Sequence, residues 1–158
     1  MRVGIGFDVH AFTAGRPLVI GGVKIPFELG LAGHSDADVL LHAVSDALLG
    51  AAGQHDIGYH FPDSDPALAG ISSLRILQRV GEIIHTAGYN IGNIDSVVIA
   101  QRPKLSPYIE EMRSAIATAL NITADQAMIK ATTTERLGFT GRGEGIAAQA
   151  VCSLFATK

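Results

Sequence analysis

The chain lacks the residues on which several classes of protein depend. A single cysteine, Cys152, excludes an internal disulfide framework and is typical of a reducing compartment. No apolar run approaches the ~20 residues needed to cross a bilayer, and Asp8 and His10 interrupt the segment where a signal peptide has its apolar core. We therefore expect a cytoplasmic protein that does not bind a membrane.

A basic surplus is missing as well. The 158 residues carry 12 Lys and Arg against 15 Asp and Glu, a net charge of −3, whereas nucleic-acid-binding proteins usually have a basic surface. The chain also has no Walker-type phosphate loop and no obvious Ser-His-Asp hydrolase arrangement. Hydrophobic residues make up 47 % of the sequence, and surplus apolar surface often ends in a subunit interface. The composition argues against nucleic-acid binding and favours an oligomer.

The order of the predicted elements indicates an α+β fold. Two β-type runs flank Gly21-Gly22, which predicts a hairpin. Ser35, with Asp38 in a capping box, predicts a helix over residues 36–52 that is apolar nearly all round. Further helices are predicted over 72–87 and 106–121, and strands over 91–100, 128–131 and 146–155. We expect residues 1–158 to form a single domain with a mixed β-sheet and helices packed on one face.

The first ten residues carry half of a candidate metal site. Residues 4–10 predict a short strand with a loop after it, in which Asp8 and His10 point to the same face. A catalytic zinc commonly has three protein ligands, and His42 is the best candidate for the third. The pair is also explained by turn formation at the end of a strand.

His42 lies on a polar stripe of the apolar helix, four residues from Asp38 and from Asp46. One interpretation is a core histidine that hydrogen-bonds to one of these carboxylates. The other is a metal ligand whose second ring nitrogen is oriented by one of them, as is usual for ligating imidazoles. Both fit the stripe, because a buried ionisable group needs a partner or a metal.

Two other stretches are rich in polar groups. The long segment 53–70 contains aspartates, histidines and aromatic residues that could hold a hydroxylated ligand, although turn formation also explains many of them. Residues 132–135, Thr-Thr-Thr-Glu, follow a predicted strand and offer hydroxyls, backbone N–H groups and a carboxylate for phosphate and a hard cation. Threonine-rich strand ends are also common without a ligand. With the first site, they suggest metal-assisted phosphoryl chemistry.

Several motifs together resemble the 2-C-methyl-D-erythritol 2,4-cyclodiphosphate synthase family from end to end. They are Gly6-Phe7-Asp8-Val9-His10, His34-Ser35-Asp36-Ala37-Asp38 with His42, Asp56-Ile57-Gly58, Phe61-Pro62-Asp63-Ser64-Asp65, Lys130-Ala131-Thr132-Thr133-Thr134-Glu135 and the segment Gly138 to Gly145. The family often has Gly where this chain has Ala37, and Thr where it has Ser64. No such departure removes an expected ligand.

The resemblance implies a homotrimer with active sites between neighbouring subunits. It implies conversion of 4-diphosphocytidyl-2-C-methyl-D-erythritol 2-phosphate to the cyclic 2,4-diphosphate plus CMP, in the non-mevalonate isoprenoid pathway. By position, Asp8, His10 and His42 would bind Zn²⁺, while Glu135 would help to hold Mg²⁺ or Mn²⁺ on the substrate diphosphate. His34 and Thr133 would stabilise the transition state as catalytic residues.

The remaining positions implied by the resemblance bind substrate. Beside Asp8, His10 and His34 they are Ser35, Asp56, Ile57, Gly58, Phe61, Pro62, Asp63, Ser64, Asp65, Ala100, Gln101, Arg102, Pro103, Lys104, Leu105, Ser106, Ala131, Thr132, Thr133, Thr134, Glu135, Phe139 and Arg142. Arg142 and Glu144 would also line a central cavity able to take an isoprenoid diphosphate.

The lack of an acid/base pair agrees with this reaction. The nucleophile would be the substrate's own 2-phosphate, which is already anionic at pH 7, so no general base is required. A zinc-dependent phosphohydrolase would use the same three ligands to activate water. A non-catalytic trimeric binder of isoprenoid diphosphates would not need those ligands at all.

Overall fold

A computed structural model of the chain describes residues 1–62 and 64–157. The strands are β1 (Arg2–Thr13), β2 (Leu18–Ile20), β3 (Val23–Ile25), β4 (Gly30–Leu31), β5 (Tyr89–Ile99), β6 (Ala127–Thr132) and β7 (Gly145–Ala156). The helices are α1 (Val39–Ala52), α2 (Ile57–His60), α3 (Ser73–Thr86), α4 (Ile109–Leu120) and α5 (Gly138–Gly141). None of the described helices is long and apolar enough to cross a membrane.

Five strands form a mixed sheet in the order β4-β1-β7-β5-β6. The pair β5-β6 is parallel, whereas β1 and β5 both run antiparallel to β7. The predicted hairpin is confirmed, since β2 and β3 pair across Gly21-Gly22 as a separate two-stranded sheet. Helix α1 packs on β1 and β7, α3 packs beside α1, and α4 packs beside α3 and on β6. The predicted α+β fold class, with helices on one face of a mixed sheet, is confirmed.

Helix α1 is buried nearly all round, as its composition predicts. It begins at Val39 rather than at 36, and its N-cap is Asp38, whose carboxylate accepts from Leu41 N–H. The predicted N-cap Ser35 instead accepts from the N–H of Ala37, which has a left-handed φ of 58°. That conformation cannot belong to a helix, and it is one that glycine adopts more readily than alanine.

Two other predicted boundaries were wrong. Strand β1 continues beyond His10 to Thr13, because Phe12 and Thr13 pair with β4. The predicted third helix opens with a 3-10 turn over Ser106–Tyr108, and α4 itself starts at Ile109. Thr123 and Gln126 form a capping box at the 3-10 turn Ala124–Gln126, and Ser72 is the N-cap of α3.

Candidate functional site

Glycines on β1 let α1 approach the sheet closely. Gly4 and Gly6 share the helix-facing side of the strand with Asp8 and His10. A Cβ atom on Gly6 would lie 1.9 Å from the carbonyl oxygen of Ala43, and one on Gly4 would lie 2.0 Å from that of Ala47. Only glycine permits this contact, so the α1 backbone lies directly against β1. The approach places His42 beside the two polar residues of the strand.

Asp8, His10 and His42 form a compact triangle, as the sequence predicts. Asp8 Oδ2 lies 2.9 Å from His10 Nε2 and 3.0 Å from His42 Nδ1, and the two ring nitrogens are 3.1 Å apart. Ligands of a tetrahedral zinc, with bonds of about 2.0 Å, are separated by about 3.3 Å. The three atoms therefore fit one zinc ion with little movement, and the group meets the geometric requirement for a metal site.

The backbone fixes which nitrogen of His10 faces the triangle. His10 Nδ1 lies 2.6 Å from the carbonyl oxygen of Ala32, which can only accept, so Nδ1 carries the hydrogen. In the neutral ring, Nε2 then presents its lone pair to the metal position. This is the arrangement expected of a ligating histidine, whose other nitrogen donates to an oxygen.

The electrostatics of the triangle favour a cation. Burial raises the pKa of Asp8, but hydrogen bonds and the charges of His10 and His42 outweigh it and hold the pKa well below its ordinary value. Burial lowers the pKa of His10, and the Asp8 carboxylate more than reverses that effect. Asp8 is therefore anionic at neutral pH. Its charge favours either a metal ion between the three residues or a proton on one of the two histidines.

A cavity of about 290 Å³ opens beside the triangle. It is lined by His34 and Ser35, by Ile57 and Gly58 of α2, and by Phe61. Five predicted substrate residues thus lie together next to the metal position. A larger cavity, about 660 Å³, lies between α3, α4 and the start of β5 and contains none of the predicted site residues.

The prediction that Asp38 or Asp46 hydrogen-bonds to the ring of His42 was wrong. Asp38 is fully buried and accepts from the backbone N–H groups of Gly21 and Gly22 in addition to that of Leu41. It therefore ties the start of α1 to the hairpin. Asp46 accepts from the Ile57 N–H at 2.7 Å and holds the first turn of α2.

The second nitrogen of His42 faces two serines instead. His42 Nε2 lies 3.1 Å from Ser73 Oγ and 3.2 Å from Ser35 Oγ. The resemblance implies Ser35 as a substrate residue, whereas Ser73 was not predicted. Ser73 is 31 residues from His42 and reads as an ordinary first-turn residue of α3. No local pattern could have identified it, because only the packing of α3 against α1 brings the two side chains together.

Asp56 shapes the loop that follows α1. Its carboxylate accepts from Tyr59 N–H at 2.8 Å and caps α2, which presents Ile57 and Gly58 to the cavity. Pro62, Ser64 and Asp65 continue this segment. The predicted substrate residue Asp63 lies outside the described residues.

The second predicted group, residues 100–106 and 131–135, lies three strands away from the triangle in the sheet. Asp8, Ala148, Val98 and Ala131 occupy one cross-strand row, with Asp8 and Ala131 on strands three places apart. Three strand spacings correspond to about 14 Å. Residues 100–106 and 131–135 therefore lie at the same end of the strands as the triangle, but they do not line its cavity.

Side-chain contacts order the loop of this second group. Thr133 Oγ1 donates to Glu135 Oε1 at 2.9 Å, and the Arg136 N–H donates to Gln101 Oε1 at 3.1 Å. Glu135 and Arg136 have φ values of 52° and 66°, left-handed conformations that are costly without glycine. Such conformations concentrate at functional sites, where the surrounding structure holds them.

A second cavity of about 290 Å³ adjoins this loop. It is lined by Gln101, Arg102 and Arg142 together with Phe12 and Phe27. Arg142 also forms an ion pair with Glu144 at 2.6 Å. The predicted site residues therefore line two separate pockets: one holds the metal triangle and His34, and the other holds Arg102 and Arg142. The two predicted catalytic residues, His34 and Thr133, lie in different groups.

Comparison with known proteins identifies the family. The model of the YgbB family matches residues 1–155. The chain is 64 % identical over 154 residues to the 2-C-methyl-D-erythritol 2,4-cyclodiphosphate synthase of Agathobacter rectalis, covering 98 % of this chain and 87 % of that one.

Solved structures show the same fold. The bifunctional IspDF of Campylobacter jejuni matches 98 % of this chain, with a TM-score of 0.94 and 43 % identity, and this chain spans 42 % of that longer protein. The IspF of Plasmodium falciparum in complex with CDP matches with a TM-score of 0.86 and 35 % identity, covering 99 % of this chain and 97 % of that one. By the nearly full-length family match and the identity to curated relatives, the chain belongs to the YgbB family of 2-C-methyl-D-erythritol 2,4-cyclodiphosphate synthases.

Proposed function

We propose that the chain converts 4-diphosphocytidyl-2-C-methyl-D-erythritol 2-phosphate to 2-C-methyl-D-erythritol 2,4-cyclodiphosphate and CMP. The observation that carries the proposal is the Asp8-His10-His42 triangle beside a cavity lined by His34 and Ser35, in a chain 64 % identical to a protein of that name. The CDP complex of the Plasmodium falciparum relative supports a cytidine diphosphate group in the substrate. The reaction belongs to the non-mevalonate isoprenoid pathway.

The three residues of the triangle would hold Zn²⁺, and a bound zinc supplies Lewis-acid neutralisation of charge on a phosphate oxygen. The chain's own residues prepare that position. Asp8 supplies the negative charge, and the Ala32 carbonyl orients His10. His34 and Ser35 face the adjoining cavity, where they can donate to phosphate oxygens as charge develops on them.

The loop of Thr132 to Glu135 would hold the nucleotide diphosphate. Threonine hydroxyls can donate to phosphate oxygens, and the Glu135 carboxylate suits Mg²⁺ or Mn²⁺, which prefer oxygen ligands. The hydrogen bond from Thr133 orients the Glu135 carboxylate. Residues 100–106, Phe139 and Arg142 complete this group around the cytidine and the phosphates.

The chemical step is intramolecular. An oxygen of the substrate 2-phosphate attacks the β-phosphorus, a new P–O bond closes the ring, and the bond between the β-phosphorus and the bridging oxygen breaks to release CMP. No proton has to be removed from the nucleophile, so the proposed step needs no general base. The protein's contribution is to hold the reacting ends together and to neutralise charge.

The active protein is a homotrimer in which neighbouring subunits complete each site. The separation of about 14 Å between the two residue groups supports this, because one subunit does not bring them into one cavity. The sheet face opposite α1 supports it as well. Val3, Ile5, Phe7 and Val9 are 44–64 % exposed on that face of β1, and such an apolar patch is typical of a subunit interface.

Phosphorus NMR tests the proposal. Purified protein loaded with zinc and magnesium is incubated with the cytidyl substrate, and cyclic diphosphate signals should appear together with CMP. His42→Ala should lower turnover by at least about 100-fold, since the triangle loses a ligand, whereas His85→Ala, at an exposed position in the last turn of α3, should not. A linear product containing oxygen from labelled water would instead indicate a hydrolase, and unchanged substrate would refute an enzymatic role.

A further inference from the structure

His42 has two ring nitrogens with different surroundings. Nδ1 faces Asp8 and His10, and Nε2 faces Ser73 and Ser35. A neutral imidazole carries one hydrogen, so it can bind a metal through Nδ1 only when that hydrogen is on Nε2. An acceptor at Nε2 therefore favours the form of His42 that is ready to bind a metal.

Asp36 determines the direction of the Ser73 hydroxyl. The Asp36 carboxylate accepts from the Ser73 N–H at 3.0 Å and also from the Ser73 O–H. An ionised carboxylate can only accept, and a hydroxyl has one hydrogen. With that hydrogen directed to Asp36, Ser73 Oγ can meet His42 Nε2 only as an acceptor. Ser73 therefore favours the hydrogen of His42 on Nε2, in competition with the Asp8 carboxylate, which lies 3.0 Å from Nδ1 and favours the hydrogen there.

Ser35 is less constrained than Ser73. Its oxygen accepts from the Ala37 N–H at 3.1 Å, but its contact with Ser73 Oγ is long, at 3.5 Å. Ser35 also lines the cavity in which the substrate phosphates are expected. Ser73 is fully buried, and a hydrogen bond in such surroundings is stronger than one exposed to water. Ser73 is therefore the partner that can fix the ring of His42.

We propose that Asp36 and Ser73 are positioning residues for the metal site, which act by holding His42 as its Nε2–H tautomer with Nδ1 directed at Asp8 and His10. Neither residue touches the metal position. The inference rests on zinc binding in the proposed function and assigns a role to the start of α3. It also explains why the loop before α1 is attached there, since the Asp36 N–H donates to Ile71 O at 3.1 Å.

Zinc affinity provides the first test. Ser73→Ala removes the acceptor. Asp36→Asn replaces one carboxylate oxygen by an NH₂ group; of the two Ser73 groups only the hydroxyl can accept from it, so the hydroxyl hydrogen is no longer held. Partners of metal ligands typically change affinity by about 10–100-fold, and we expect weakening in that range, measured by competition with a chelator. Ser45→Ala is the matched control, because Ser45 is a buried serine of α1 whose Oγ hydrogen-bonds to no described residue. Its zinc affinity should stay within about twofold of the wild type.

Histidine NMR provides the second test, and its readout is the ring of His42 in the wild-type protein. In zinc-free protein labelled with ¹⁵N-histidine, the His42 ring, assigned with His42→Gln, should show hydrogen on Nε2. Hydrogen on Nδ1 in the wild type, or unchanged zinc affinity in folded Ser73→Ala, would overturn the inference. A wild-type protein that binds no zinc would refute the proposed metal site instead, and the tautomer would still decide the role of Ser73.

Discussion

Cys152 shows what a single buried side chain contributes. It lies on the helix-facing side of β7, opposite Gly4 on β1, and is 2 % exposed. Burial raises the pKa of its thiol from 9.0 to about 11. Cys152 is therefore part of the hydrophobic core.

The raised pKa predicts a loss of stability in alkali. The folded state keeps the thiol proton between about pH 9 and pH 11, while the unfolded state releases it, so the contribution of Cys152 is complete below pH 9 and falls as pH rises. From pH 8 to pH 10.5, the free energy of unfolding of the wild type should drop by about 2 kcal/mol more than that of Cys152→Ala. Denaturant unfolding at one protein concentration measures this, and parallel pH profiles of the two proteins would contradict it.

Individual site residues differed in how far the sequence could predict them. Asp8 and His10 follow from the two-residue repeat of a strand, and His42 stands out as an imidazole on an apolar helix. Ser73 does not stand out, because a serine in the first turn of a helix is ordinary. Its role depends on a contact between distant segments, and periodicity contains no information about such contacts.

The packing of β1 against α1 is the contact between elements on which the triangle depends. Gly6→Ala would place a methyl group within 1.9 Å of the Ala43 carbonyl oxygen, so the helix or the strand must move. We expect a loss of about 3 kcal/mol in unfolding free energy, at the upper end for overpacking. Zinc affinity should fall as well, since His42 moves with α1.

Gly50→Ala is the control for Gly6→Ala. Gly50 lies on α1, is exposed, and has no atom within 4 Å of an added Cβ. Alanine at this helical position should stabilise the protein by about 0.5–1 kcal/mol, because alanine loses less conformational freedom on folding than glycine does. Equal effects of the two substitutions would show that α1 does not lie as close to β1 as described.

Element types were predicted better than element boundaries. The helix predicted over 36–52 is α1, but its start moved to Val39 because Asp38, not Ser35, reaches the Leu41 N–H. Both residues are good caps in sequence. The choice between them comes from the hairpin, whose glycine N–H groups also bind Asp38 and hold it in place.

At the scale of the whole molecule, the exposed sheet face opposite α1 is the candidate subunit interface. Ile5 is 64 % exposed on β1, and Val151 of β7, its cross-strand partner, is 41 % exposed beside it. If neighbouring subunits cover this face, Ile5→Asp buries an unpaired carboxylate, which costs roughly 3–5 kcal/mol. Sedimentation should then show monomers with an unchanged circular dichroism spectrum, and turnover should be lost.

Gln78→Asp is the control for the interface. It introduces the same charge at an exposed position of α3, and this variant should sediment as the wild type does. A trimeric Ile5→Asp protein would mean that subunits meet elsewhere. Monomers with full activity would show instead that each site is complete within one chain.

The sequence by itself determined the local features of this protein. Alternation placed Asp8 and His10 on one face, the apolar run required a buried helix, and the ordered motifs resembled one family, because all of these depend on neighbours along the chain. Only the tertiary structure decided which groups meet. It attached Asp38 to the hairpin and Asp46 to α2, and it placed Ser73 behind His42. Partners of a buried polar group are chosen by how the elements pack, and that packing depends on contacts among residues far apart in sequence.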